Sequence, residues 1–300
     1  MQLFNKIVIL LSNLNSKKMF IFTKKSDLTA HLSRIRTAKT KIGFVPTMGA
    51  LHQGHLSLMK ESLKNNAITV VSIFVNPTQF NNAEDLEKYP RTLESDIAKI
   101  ETLSKDILIY APSVEDIYEG HTKSSAFDYD GLEFQMEGAH RPGHFDGVGT
   151  IVKKLFEIVQ PANAYFGEKD FQQLQIIKKM VQKHNLPVSI HGCPIHREPN
   201  GLAMSSRNER LSAEARNEAA FIYKTLKTAK LKFKKYSARE VIAFVAAEFR
   251  KHPNFKLEYF EIADEATLLP CIRKSKTKQY RGFVAVFINN VRLIDNISLN

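Results

Sequence analysis

The chain has no tryptophan and, in 300 residues, only two cysteines, Cys193 and Cys271. So few thiols, with no paired spacing, exclude a disulfide-stapled scaffold and a cysteine-built zinc site, and they fit a reducing cytoplasm. No apolar run approaches the roughly 18 residues that a membrane-spanning helix needs. The apolar stretch at 7–11 is too short for a secretion signal, and no small-residue cleavage site follows it. Residues 1–18 therefore read as an extension ahead of the core, with Met19 a second candidate start. Familiar phosphate and nucleophile loops are missing too: there is no G-x-x-x-x-G-K-[ST] and no G-x-S-x-G. The "GVG" at 147–149 lacks the third glycine and the preceding strand of a dinucleotide fingerprint. No internal repeat or low-complexity segment stands out.

What is present is a globular composition. Hydrophobic residues make up 43 %, enough for a sizeable core. The net charge of +12 points to anionic partners or to a basic surface. Much of the excess lies in Lys224, Lys227, Lys230, Lys232, Lys234 and Lys235, which follow one helical pattern and read as a solvated helix face.

Apolar runs at 42–45, 68–75, 107–110, 164–166 and 188–190 are mostly continuous, as in parallel strands buried on both faces. Helical patterns lie between them: Leu56, Met59 and Leu63; Ile151, Leu155, Ile158 and Val159; Leu174, Ile177 and Val181. Alternating strands and helices predict an α/β domain, a Rossmann-like doubly wound parallel sheet, over 19–195. The last third differs. Ser212 caps a helix expected to run to about residue 235, Ser237 and Glu240 form a capping box for a second, and "FKLEYFEI" and "GFVAVFI" read as strands. These predict a smaller α+β C-terminal domain over 196–300, acting as a lid, with the boundary near 194–199.

The unusual polar clusters follow the predicted strands, where open parallel sheets bind ligands. "PTMGALHQGH" follows the first, "NPTQF" the second and "GEKDFQQ" the strand at 164–166. His52 and His55 flank Gly54 at the start of a helix, an end that attracts anions. A histidine there donates to a phosphate oxygen; the plainer reading is a pair of loop histidines. Zinc would need a third nitrogen or sulfur ligand, and none is near in sequence. His140 and His144 are separated by Pro142 and Gly143, which argues for a polar loop rather than one helix face. Lys169, Asp170 and Gln173 suit a phosphate, a ribose hydroxyl and a substrate carboxylate or neutral group; an ordinary acidic first turn would look similar. "MSSRNERL" joins Ser205, Ser206 and Arg207 in phosphate chemistry without a Walker loop, or in a capped surface turn.

Together, "FVPTMGALHQGH", "VVSIFVNPTQF", "YPRT", "RPGHFDGVGTIV", "FGEKDFQQLQIIKKMV", "GLAMSSRN" and "RLIDN" closely resemble the pantothenate synthetase (pantoate–β-alanine ligase) family, within the nucleotidyltransferases that carry a HIGH-type histidine motif. The resemblance covers roughly 20–296 in order, without large gaps. It implies an ATP- and magnesium-dependent ligase: the carboxylate of (R)-pantoate attacks the α-phosphate, and β-alanine then displaces AMP from pantoyl adenylate. It further implies an ATP site from Met48, Gly49, Ala50, Leu51, His52, Gln53, Gly54 and His55, from Gly167, Glu168, Lys169 and Asp170, and from Met204, Ser205, Ser206 and Arg207 in a closing loop. His196 aligns with an adenine-contacting position that is usually apolar, where contact can run through the backbone. His55, Lys169 and Arg207 would be catalytic, and Gln79 and Gln173 would hold pantoate, Gln79 also bordering β-alanine. A cytoplasmic homodimer is implied as well.

Two other readings differ in kind. A nucleotidyltransferase that stops at an activated product shares H-x-G-H but needs neither "NPTQF" nor "GEKDFQQ". An RNA-binding protein would interleave exposed aromatics with its basic residues. Here the aromatics fall mainly in core-like runs, so neither nucleic acid nor membrane is expected as a partner.

Overall fold

The computed structural model describes residues 18–300. The extension expected at 1–18 lies, but for Lys18, outside the described residues. The chain begins with β1 (Ile21–Phe22), α1 (Lys25–Ile35), β2 (Ile42–Thr47), α2 (Gln53–Asn65) and β3 (Ile68–Ile73). It continues through α3 (Ala83–Glu87), α4 (Leu93–Glu101), β4 (Leu108–Tyr110), α5 (Val114–Tyr118), α6 (Met136–His140) and α7 (His144–Val159). Then come β5 (Asn163–Gly167), α8 (Phe171–Lys183) and β6 (Ser189–Cys193). Strands β1 to β6 form one sheet in the order β1-β4-β3-β2-β5-β6, and every pairing in it is parallel.

Strand alternation makes the sheet doubly wound. Phe44, Val70 and Leu108 face a core built with Leu28 and Leu32 of α1, Val148 to Val159 of α7 and Leu174 to Met180 of α8. Their neighbours Val45, Val71 and Ile109 face the opposite core, with Leu56 and Met59 of α2 and Ile100 of α4. Because both faces are covered over β2 to β5, these strands read as continuous apolar runs, while the edge strand β6 stays mostly exposed. The chain winds outward from β2 through β3 and β4, then returns to add β5 on the other side of β2. The direction reverses between β2 and β5, which places a topological switch point at their carboxyl ends.

The C-terminal part contains α9 (Ala213–Glu218), α10 (Ala220–Phe233) and α11 (Ala238–Arg250). They pack on an antiparallel sheet of β7 (Phe255–Asp264), β8 (Tyr280–Ile288) and β9 (Val291–Ser298), in that order. Its core is separate, with Ile222, Leu226, Val241, Val245 and Val284 among its members. Ser212 caps as expected, accepting from the Ala215 N–H. The helix expected to follow is interrupted once, at Ala219, a residue with helical dihedrals (φ −60°, ψ −16°) that is fully buried against this core. Lys224, Lys227, Lys234 and Lys235 are exposed. No helix among the described residues is long and apolar enough to cross a membrane.

Candidate active site

The switch point opens into a cleft of about 930 Å³ whose floor is the segment from β2 into α2. That segment is bent hard. Ala50 has φ +48°, a left-handed conformation that costs a non-glycine residue on the order of 1 kcal/mol or more. A carboxylate from α4 holds it: Asp96, fully buried, accepts from the Ala50 N–H at 3.0 Å and the Leu51 N–H at 2.7 Å. Lys99, one turn on, donates to the Leu51 carbonyl at 2.8 Å. Neither residue stands out in the sequence. An acid in the first turn of a helix reads as an ordinary dipole partner, and only the tertiary approach of α4 reveals its other task.

His52 and His55 form a capping box. Nδ1 of His52 accepts the Gly54 N–H at 3.1 Å, and Nδ1 of His55 accepts the His52 N–H at 3.3 Å. With each Nδ1 an acceptor, the proton of each neutral ring sits on Nε2. Gly54 is required here, since a Cβ would lie 2.9 Å from the His52 ring. Both rings are held neutral. Burial, then the neighbouring His55 and Lys169, lowers His52 to about 3; burial, then Lys169 and Lys99, lowers His55 to about 4. No acidic side chain occupies the first turn of α2, so the positive end of its dipole is uncompensated.

The loop after β3 supplies Gln79, buried in a short 3₁₀ turn (Pro77–Gln79). Its side-chain oxygen accepts from Asn76, whose own amide also donates to the Gly147 carbonyl at 3.1 Å. Gly147 lets α7 pass this turn closely; a Cβ there would sit 2.3 Å from the Thr78 carbonyl. That explains "GVG" without a nucleotide fingerprint. His144 Nδ1 meets the Gln79 carbonyl at 2.8 Å, and Arg141 donates to the same oxygen at 3.3 Å. His140 closes α6 and His144 opens α7, so they share no helix face. Burial, then the Arg141 charge, lowers His144 to about 4.

After β5, a 3₁₀ turn (Glu168–Asp170) leads into α8. Its carbonyls are gripped from β9: the Asn296 amide donates to the Glu168 and Lys169 carbonyls, both at 2.9 Å. Arg281 donates to the Asn296 side-chain oxygen at 2.6 Å, which fixes the amide's orientation. Beside it Asp295 takes both ends of Arg197 at 2.7 and 3.0 Å, and Arg197 stacks on Tyr223. Lys169 lies 3.6 Å from Asp170. Gln172 is buried and spans to Glu137 and the Leu132 and Gln135 carbonyls, whereas Gln173 lines the cleft.

The segment at 204–207 closes the front. Ser206 donates to the Ala50 carbonyl at 3.0 Å, and Arg207 reaches Asp85 at 3.3 Å. Met48, His52, Gly54, His55, Gln79, Gly167, Lys169, Asp170, Gln173, His196, Met204, Ser205, Ser206 and Arg207 all line one cleft. Five residues of the expected set are placed differently. Gly49 and Ala50 shape the bend, Leu51 is buried in the core, Gln53 is exposed at the helix start and Glu168 lies toward Arg281 at 3.7 Å. The exposed His196 joins the segment through its backbone, its carbonyl accepting the Met204 N–H at 3.0 Å.

A family model described as pantoate–β-alanine ligase matches residues 20–298. The chain belongs to the pantoate–β-alanine ligase family. It is 66 % identical over 281 residues to a pantothenate synthetase of Flavobacterium psychrophilum, covering 94 % of this chain and all of that one. The crystal structure of pantothenate synthetase from Thermus thermophilus is similar with a TM-score of 0.85 at 40 % identity, over 94 % of this chain and 99 % of that one. A pantoate–β-alanine ligase from Francisella tularensis, solved with a β,γ-ATP compound and β-alanine, has a TM-score of 0.77 at 36 % identity, over 94 % and 98 % of the two chains. As a member of this family the chain is an enzyme, a ligase.

Proposed function

We propose that the chain condenses (R)-pantoate with β-alanine at the expense of ATP, through pantoyl adenylate, giving pantothenate, AMP and pyrophosphate. The observation that carries this reading is the convergence, in one cleft, of a dipole end capped by two neutral histidines, Lys169 and Arg207, and the two amides of Gln79 and Gln173. The Francisella ligase with a β,γ-ATP compound and β-alanine supports it.

In the first step a pantoate carboxylate oxygen bonds to the α-phosphorus and the bond to pyrophosphate breaks. Gln79 and Gln173 read the hydroxyls and carboxylate of pantoate without adding charge. Negative charge grows on the phosphates, toward the N-terminus of α2. His55, neutral with its proton on Nε2, stabilises that charge as a fixed N–H donor rather than by surrendering a proton, and His52 does the same beside it. Lys169 and Arg207 stabilise the departing pyrophosphate, and Asp170 takes the ribose. In the second step the amine nitrogen of β-alanine bonds to the acyl carbon and AMP leaves. The segment at 204–207, carried by the lid-forming part at 196–300, closes over the nucleotide.

Magnesium fits this site in one form only. Among the described residues no group of three or more His, Cys, Asp or Glu side chains could cage a metal, and Asp85 and Asp170 already lie beside cations. That suits an ion carried by the nucleotide's phosphates and water, with Lys169 and Arg207 holding the same phosphates. Bound, it would neutralise phosphate charge. The family resemblance extends this reading to a cytoplasmic homodimer.

Pantoate-dependent ATP–pyrophosphate exchange in the absence of β-alanine is the test. Exchange with pantoate, almost none with pivalate, and AMP release on adding β-alanine are the expected results, since a site built to pair hydroxyls discriminates by roughly 10⁴–10⁵. Exchange that needs β-alanine, or equal use of pivalate, would overturn the reading. Exchange without amide formation would favour a transferase that stops at the adenylate.

A further inference from the structure

Among the described residues six cationic side chains of lysine or arginine line the cleft: Lys88, Arg141, Lys169, Arg207, Arg210 and Arg292. The second substrate brings its own carboxylate, at the far end from the attacking amine, and that anion needs one of them. Lys169 and Arg207 are assigned to phosphates. Lys88 pairs with Glu84 at the exposed rim, and Arg210 is at 3.6 Å from Asp85. Arg292 is consumed: it takes Glu137 through two bonds at 2.9 and 2.8 Å and pairs with Glu258 as well. Arg141 remains.

Its guanidinium is aimed by two bonds. One nitrogen donates to the Gln79 carbonyl at 3.3 Å, and another approaches His144 Nε2 at 3.2 Å. His144 closes the frame, donating through Nδ1 to the same carbonyl, so its Nε2 is free to accept from Arg141. An arginine has five N–H donors, and this frame uses two. The nearest carboxylate, Glu137, stands 3.9 Å away, beyond hydrogen bonding, and already accepts from Arg292 and from the Tyr259 hydroxyl at 2.7 Å. The result is an oriented cation in the cleft wall, fixed to the residue that faces pantoate, with donors to spare. Such a fork matches a carboxylate in two-point geometry, where a lysine would offer only a point charge.

We propose that Arg141 binds the carboxylate of β-alanine, an assignment that rests on the pantoate–β-alanine reading above. His144 is then a positioning residue, holding the guanidinium in register with Gln79.

The test is steady-state kinetics of Arg141→Gln with each substrate varied in turn. A lost charge-assisted pair raises the KM for β-alanine roughly 10–100-fold, with much smaller changes for ATP and pantoate. A second measurement compares β-alanine with β-alaninamide, which keeps the amine and lacks the carboxylate. The wild-type enzyme prefers β-alanine, and the variant loses that preference. Should the Gln variant not fold, Arg141→Lys keeps the charge but not the fork, and is expected to weaken the same preference. Equal loss toward all three substrates would mean that Arg141 acts only through Gln79, and an unchanged preference would mean that another group reads the carboxylate; either overturns the proposal. Wild-type protein with no pantoate-dependent exchange would instead defeat the functional reading itself.

Discussion

Two helices in this molecule begin with the same hydrogen-bonding device made from different chemistry. At α11, Ser237 accepts the Glu240 N–H at 3.3 Å, and Glu240 accepts the Ser237 N–H at 2.8 Å. At α2, His52 and His55 make the equivalent pair of bonds. The α11 box is exposed, and its carboxylate opposes the helix dipole, as capping normally does. The α2 box lies in the cleft, carries no negative charge and leaves the dipole end bare. Histidine is not a favoured cap. Its use here satisfies orphan N–H groups without spending the electrostatic potential of the helix end, which the proposed function assigns to the nucleotide phosphates.

The sharpest way to break that comparison is to convert one box into the other. His55→Glu retains an acceptor for the His52 N–H but puts a carboxylate where, in the proposed reaction, phosphate charge grows. We expect adenylation to fall at least 10³-fold, beyond the roughly 10²–10³ of losing one preorganised donor, while the melting temperature changes little. His55→Gln keeps both a carbonyl acceptor for the cap and an N–H donor for the phosphate. It should retain at least tenfold more activity than the Glu variant in pyrophosphate exchange. Equal loss in both would mean that His55 must transfer a proton.

A smaller effect follows from the β9 grip on the Lys169 turn. Asn296→Asp removes the amide that holds the Glu168 and Lys169 carbonyls and sets an acceptor against them. Misplacing Lys169 should depress kcat on the order of tenfold or more, with a lesser change in the KM for ATP. An unaltered kcat would show that α8 alone positions the lysine.

These residues also mark what the sequence discloses. Continuous apolar runs reveal β2 to β5, because burial on both faces leaves no polar alternation to confuse them, whereas β6, at the sheet edge, is mostly exposed and shows only a short apolar run at its start. Two-residue β1 has too little pattern, and the short helices α3 to α5 carry none that stands alone. The clusters at the strand ends are legible because an open sheet gathers its loops at one edge. The tasks of Asp96, Lys99 and Asn296 are not, although Asn296 ends the "RLIDN" stretch, since each acts on backbone groups far along the chain. H-x-G-H poses a choice between function and a local turn, and the structure makes it a cap within the candidate site.

Titration should separate the two boxes. His52 and His55 have folded values of about 3 and about 4, below their ordinary 6.5. Below pH 6.5 the unfolded chain takes up protons that the folded box refuses, so stability falls as the pH drops from 6.5 through those values. Each unit of depression corresponds to about 1.4 kcal/mol. Glu240 is also depressed, by its bonds to Ser237, but as a carboxylate its contribution is kept above its ordinary 4.5 and lost only below it. Urea unfolding at pH 7 and pH 4.5 should show a loss that His55→Gln reduces and Glu240→Gln leaves unchanged. The reverse pattern would place the acid sensitivity in the surface box.

The smallest effect is the control for the whole comparison. Ser237→Ala removes the cap oxygen of α11, which normally costs about 1 kcal/mol, and Ser237→Gly should cost only a few tenths. No residue of α11 lines the cleft, so kcat and every KM should stay at wild-type values. His52→Ala should cost a similar amount of stability and lose activity as well, because the same bond is made there by a group that lines the cleft and, in the proposed reaction, faces the phosphates. A route from α11 to the site does exist: α11 packs on β7, and Tyr259 of β7 bonds Glu137 at the cleft wall. If Ser237→Ala lowered kcat while the protein remained folded, that route would carry capping energy into the cleft. The two boxes would then differ in distance from the site rather than in kind.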